Sequence, residues 1–144
     1  MSLINFGSIL GFAEEIERQN MTFFAQASVN QACVQDNAMF QSMEKSAKKR
    51  VGEVLRIRRE NVSEMILETF AELQRDPFIV ATEDASTLEP DLVIDRAHDL
   101  LARSVEYYEK AATKLKGQAD VAMALKNLAK KHKKEQNKLT AYCL

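Results

Sequence analysis

The chain of 144 residues predicts an all-α fold: a single domain over residues 1–144, built as a four-helix bundle that runs up-down-down-up. Three observations predict it. Apolar residues recur at alternating steps of three and four through four segments, the rhythm of a bundle seam. Glycine and proline are scarce and stand where breaks are wanted. One connection, from Arg75 to Pro90, is far longer than the other two.

The first helix is expected over 5–28, with an inward stripe of Phe6, Leu10, Ala13, Glu17, Asn20, Phe24 and Ala27. The break "SVNQACVQDN" follows, and Asp36 or Asn37 is a fitting N-cap. The second helix is expected over 37–75. Its stripe is less strict: Phe40, Glu44, Ala47, Val51, Leu55, Arg58, Val62, Ile66, Phe70 and Leu73. Pro77 and Pro90 then bracket "RDPFIVATEDASTLEPD". The third helix, 89–116, carries Ile94, His98, Leu101, Val105, Tyr108, Ala112 and Leu115, and ends near Gly117. The fourth, 119–142, carries Val121, Leu125, Leu128, His132, Glu135, Leu139 and Tyr142. No run of strict alternation is long enough to compete with the helical pattern.

Short breaks make hairpins of helices one and two and of helices three and four. Extended chain covers ~3.3 Å per residue, so the Arg75–Pro90 link can run the length of a bundle as a crossover. Helices two and three are then parallel.

Several function classes drop out. The formal charge is −1, which predicts neither a nucleic-acid nor a membrane partner. The basic run "KSAKKRVGEVLRIRREN" has no interleaved aromatic residues and reads as a solvated helix face. No apolar run approaches the ~20 residues of a membrane span, and the first residues lack the basic start of a signal peptide. Cys33 and Cys143 have no metal-type spacing and read as free thiols, so a cytoplasmic location is expected. There is no Gly-rich phosphate loop and no Ser/His/Asp arrangement. Tyr107 and Tyr108 read either as core residues with satisfied hydroxyls or as partners beside a metal.

Two segments resemble the rubrerythrin-like proteins of the ferritin-like superfamily. "LGFAEEIERQNMTFFAQAS" offers Ala13, Glu17 and the pair Phe23-Phe24 in the spacing of that family's first helix. "RAHDLLARSVEYYEKAATKL" is similar to its third, with Ala97, Leu101 and Tyr107-Tyr108. The resemblance implies a ferritin-like bundle and a di-iron centre held by two glutamates and two Glu-x-x-His pairs. Here Glu17 matches. Ala47 and Arg50 stand at the glutamate and histidine of the second helix, and Leu101 at the glutamate of the third. On the fourth helix His132 takes the glutamate position and Glu135 the histidine position. The ordinary di-iron set is therefore broken.

The seams add a second reading. They place Glu17, Asn20, Glu44, His98, His132 and Glu135 within about one helical turn, ~5 Å of rise. Carboxylates in an apolar interior need neutralising. Either a divalent metal (iron, manganese or zinc) binds Glu17, Glu44, His98, His132 and Glu135, or histidines and glutamates pair with each other, helped by Arg58 or water. The expected function is a rubrerythrin-like protein with a degenerate or rebuilt metal site; if it is an enzyme, it is a metal-dependent oxidoreductase of that type. The alternative is a metal-free bundle acting as a structural or protein-interaction module. No substrate, catalytic residue or redox partner can be named. The apolar excess in "ENVSEMILETFAEL" at the far end of the second helix predicts a homodimer through helical faces.

Overall fold

The computed structural model describes residues 2–61 and 69–142. Among the described residues there are four long helices: α1 (Phe6–Ala27), α2 (Asn37–Glu60), α3 (Pro90–Lys114) and α4 (Ala119–Tyr142). Helix α1 starts in a capping box. The Asn5 side chain accepts from the Ser8 amide at 2.8 Å, and the Asn5 amide donates to Ser8 Oγ at 3.3 Å. Every residue of the stripe expected on α1 is buried. Pro90 opens α3 at a first-turn position where its missing N–H costs nothing. The chain turns after Leu115 as the sequence predicts, but no described residue, Gly117 included, adopts a positive φ.

Between α1 and α2 lies a 3-10 turn, Gln31–Asp36. Asn30 caps it by accepting from the Ala32 amide at 2.8 Å. Its Nδ2 also donates to the carbonyls of Ala85 and Leu88, at 2.7 and 2.9 Å. One buried side chain thus ties the hairpin turn to the connection between α2 and α3.

Helix α2 is shorter than the sequence pattern predicts. Asn61 Nδ2 donates to the Ile57 carbonyl at 2.8 Å and closes the last turn, so the helix stops at Glu60 rather than continuing to residue 75. Thr69–Gln74 is a strand, β2, paired antiparallel with β1 (Ser2–Asn5). The register matches Ser2 with Gln74 and Leu3 with Leu73, with an irregularity before Asn5 meets Thr69. Periodicity along one segment cannot reveal a pairing with residues about seventy positions away, which is why this ribbon goes unseen in the sequence. Val62, Met65, Ile66 and Leu67, on which the homodimer expectation partly rests, lie outside the described residues. The strand at 69–74 removes the rest of the helical face that motivates it.

The inward stripe of α2 also differs from expectation. Phe40, Ala47 and Val51 are buried as expected, and Met43, Arg50, Val54 and Ile57 are buried as well, while Glu44, Leu55 and Arg58 are only partly so. The error is one residue at several positions, a rotation of ~100° each.

Contacts fix how neighbouring helices run. Phe24 stacks on Phe40 with centroids 6.2 Å apart, and Glu17 meets Arg50 further along, so α1 and α2 oppose each other. Phe12 meets Tyr107 while Asn20 meets Ser104, so α1 and α3 oppose each other too. Leu101 shares an apolar cluster with Leu139, and Leu115 shares another with Val121 and Leu125, which sets α3 against α4. The core is therefore two apolar clusters, one holding Phe6 to Ile16 of α1 and the other Phe23, Phe24 and Phe40. A polar layer lies between them. Among the described residues, no helix is long and apolar enough to cross a membrane.

Candidate functional site

The polar layer is centred on Glu17, which is 0% exposed. It sits on the α1 stripe four residues after Ala13 and three before Asn20, so the helix aims it inward. Three donors from three other helices converge on it. Arg50 Nε of α2 donates to Glu17 Oε1 at 3.0 Å. Tyr108 Oη of α3 donates to Oε2 at 2.6 Å. His132 Nε2 of α4 lies 2.8 Å from the same Oε2, and since a carboxylate only accepts, that nitrogen carries the proton. The Tyr108 ring also stacks on the His132 imidazole, centroids 5.7 Å apart.

Around this centre the network widens. Asn20 donates to Ser104 Oγ at 3.0 Å, and Ser104 donates back to the Leu100 carbonyl. Arg103 donates to Asn20 Oδ1, to Gln19 Oε1 and to the Phe78 carbonyl, so it links the layer to the crossover. On the other side, Arg50 Nη2 lies 3.1 Å from Glu135 Oε1. The two charges attract, but the atoms are out of line and both are buried without a hydrogen bond. His132 Nδ1 is likewise buried without one.

The electrostatics follow from these positions. Burial alone would raise the Glu17 carboxyl. His132, Arg50 and the Tyr108 hydroxyl outweigh it and hold Glu17 down at about 2. Glu135 behaves in the opposite way: burial dominates over Arg50 and His132, and its carboxyl is raised. Tyr108 is also raised, first by burial and then by the Glu17 charge. Burial lowers Arg103 to about 10. Glu17 is thus a fixed anion that accepts bonds and resists protons. It is a poor general base, and Glu135 is the carboxyl of the layer that takes up a proton more readily.

Of the residues expected to hold a metal, the structure brings Glu17, His132 and Glu135 into one network. Glu44 and His98 are not in it. Both are only partly buried, and among the described residues neither makes a hydrogen bond or ion pair. Glu44 lies six residues before Arg50 and His98 six before Ser104, each ~9 Å of helix rise away. For α2 the cause is the one-residue rotation of the stripe, which turns Met43 inward in place of Glu44. For α3 it is the level of contact with α1, where Ser104 rather than His98 meets Asn20. The arginine that neutralises the layer is Arg50 rather than Arg58. Arg58 is partly exposed and lies 3.9 Å from Glu14.

Sequence reasoning underrated three members of the layer. Arg50 was visible as the residue at a family histidine position, and its charge was the signal that it could replace a cation. Tyr108 stood on the α3 stripe, but seven residues beyond Leu101, the residue expected level with Glu17. Arg103 left no trace, because its partner carbonyl belongs to the crossover. Among the described residues, no three His, Cys, Asp or Glu side chains come together in an arrangement able to hold a metal ion. Cys33 is buried and free, its thiol raised by burial and then by Asp36. Compared with known proteins, the chain matches no family model, no curated protein and no solved structure.

Proposed function

We propose that this chain is a ferritin-like bundle of the rubrerythrin type, up-down-down-up, in which an internal ion-pair network stands where a di-iron centre would be. It acts as a structural or protein-interaction module rather than as an oxidase. The topology is supported by the opposed runs of α1 with α2, α1 with α3, and α3 with α4, which leave α2 and α3 parallel. The likeness is supported by burial. Glu17, Ala47, Arg50, Leu101, His132 and Glu135, the six positions the resemblance aligns with ligands, are all buried.

The single observation that carries the functional reading is the Arg50 guanidinium 3.0 Å from Glu17 Oε1. A divalent metal needs carboxylate oxygens and imidazole nitrogens turned toward it. Here both Glu17 oxygens accept from the chain's own donors, and a fixed cation occupies the α2 side. The residues present do not fit an iron centre of the family type, so no oxygen or peroxide chemistry is derived for the site.

Metal analysis of protein purified without chelator tests the proposal. The expected content is far below one iron, manganese or zinc per chain. A stoichiometric metal that is lost in both Glu17→Ala and His132→Ala would overturn it. A homodimer belongs to the same proposal only if light scattering at micromolar concentration gives twice the mass of 16.3 kDa.

A further inference from the structure

The two hairpins do not meet equally on their two sides. On the α1–α3 side the crossover lies over the seam, held by Gln19, Asn30 and Arg103. On the α2–α4 side the helices meet only sparsely, and a groove of about 780 Å³ opens between them. That size falls in the ~300–1,000 Å³ range of small-molecule sites.

The groove is strongly cationic. Lys49, Lys131, Lys134 and Lys138 stand around it, and Arg50 and Glu135 form its floor. Lys131 is paired with Glu53 at 2.6 Å, but among the described residues Lys49, Lys134 and Lys138 form no ion pair. Arg50 is 2% exposed and its charge is already paired, with Glu17 at 3.0 Å and with Glu135 at 3.1 Å, so the unpaired lysines carry the positive charge of the mouth. At one end, past Glu135 and Lys138, the groove continues into a recess of about 170 Å³ between Met39 and Met43. Methionine and the aliphatic stems of lysine supply adaptable apolar walls.

A cationic mouth joined to an apolar recess fits one kind of ligand, an anionic head on a hydrocarbon tail. We propose that the α2–α4 groove binds an amphipathic monocarboxylate of the fatty-acid class, its head among Lys49, Lys134 and Lys138 above Arg50 and its tail toward Met39 and Met43. The ammonium groups of Lys49, Lys134 and Lys138, which form no ion pair among the described residues, match an anionic head. A phosphate head is the less suited alternative, because the residues lining the groove lie within α2 and α4 past their first turns and offer side chains rather than free backbone amides. The groove does not depend on the core being metal-free. Metal content tests the one reading and carboxylate binding the other.

Calorimetric titration of the full chain with dodecanoate, below its micelle concentration, tests the proposal. The expected result is saturable one-to-one binding with a raised melting temperature, since a ligand of the native state stabilises it. Acetate and inorganic phosphate, which lack the tail, should bind far more weakly. Dodecyltrimethylammonium, with the tail and the opposite charge, should not bind saturably. The double variant Lys134→Glu/Lys138→Glu changes only exposed side chains, so it should fold, and it should weaken dodecanoate by about tenfold or more. The proposal is overturned if dodecanoate binds no better than the ammonium surfactant, if phosphate binds as well as dodecanoate, or if the double variant binds dodecanoate unchanged.

Discussion

Glu17 and Arg50 form an ion pair across α1 and α2 with Nε to Oε1 at 3.0 Å, their side chains 0% and 3% exposed. Burying two charges is costly, and their attraction recovers that cost only when the remaining polar atoms are bonded as well. For Glu17 they are, because Tyr108 and His132 take the second oxygen. Removing the cation alone leaves a buried anion whose remaining fixed cation, Arg103, reaches it only through Asn20. Arg50→Met is therefore expected to cost about 3–5 kcal/mol, measured by urea denaturation. The triple change Glu17→Leu/Arg50→Met/Glu135→Met, which removes the charges together, should cost much less. If the single variant is as stable as the native chain, the pair is not what neutralises Glu17.

The same pair sets the response to acid. Glu17 is lowered from 4.5 to about 2 in the folded chain. A depressed carboxyl contributes stability that is fully present above its unfolded value and is lost as pH falls through the folded one. The window is therefore from about 4.5 down to about 2, and the size is about 3 kcal/mol. Glu135 acts with the opposite sign and above that window. Its raised carboxyl penalises the folded state once ionised, and acidification toward about 4.5 relieves that penalty. Urea midpoints between about 4.5 and about 2 should fall steeply in the native chain and equally in Glu135→Gln, and should be nearly flat in Glu17→Gln. Above about 4.5 the native chain should gain stability on acidification, and Glu135→Gln should lack that gain. An unchanged slope in Glu17→Gln would show that another group governs acid unfolding.

These two residues also mark where the sequence was legible. The α1 stripe could be read in full, because seven positions at regular steps leave little freedom in how the helix faces the core. The α4 stripe gave His132 and Glu135 for the same reason, since lysines surround them and only one face can be buried. The α2 stripe misled through near-degeneracy. Met43 and Glu44, Val54 and Leu55, and Ile57 and Arg58 are neighbouring pairs, and either member satisfies a loose heptad. Val51 is buried as expected, but Arg50 beside it is buried too, and a stripe read as one residue per turn leaves no place for both. The level at which α3 meets α1 was not encoded in either helix alone. It depends on the crossover, and Arg103, which binds both the crossover and Asn20, could be recognised only once both partners were in place.

The crossover supplies a third prediction, through Asn30. Its side chain is 2% exposed and makes three bonds, one to the Ala32 amide and two to the carbonyls of Ala85 and Leu88. Asn30→Ala strands those carbonyls and removes a cap, at a cost of about 1–3 kcal/mol. The effect should be local as well as global. Hydrogen exchange should speed up in the segment 80–89 and at the start of α2, while amides in the middle of α1 and α4 keep their ranking as the slowest. Uniform acceleration along the chain, with no excess in 80–89, would mean that Asn30 does not pin the crossover.

The strongest consequence of the network concerns what would happen if Arg50 were removed in favour of a ligand. Ala47 and Arg50 are three residues apart on α2 and both buried, and Arg50 meets Glu17. Carboxylate metal centres in helical bundles draw a Glu-x-x-His pair at this i, i+3 spacing from a helix. Ala47→Glu/Arg50→His would create that pair with little change in total volume. It would also replace a cation with a neutral imidazole and add a carboxylate. Glu17, the added carboxylate and Glu135 would then share the layer with Arg103 as its one fixed cation among the described residues, so the apo variant should be markedly less stable than the native chain. A divalent metal would supply the missing charge, and the hard oxygens with one or two imidazoles suit iron, manganese or zinc. The melting temperature of the variant should therefore rise with added zinc or manganese and fall back with chelator. Metal at about a hundredfold over its dissociation constant would return ~2.7 kcal/mol. The native chain, with Arg50 in place, should show no such dependence. A variant that folds but is indifferent to metal would mean that Arg50 is not what keeps a cation out of this layer.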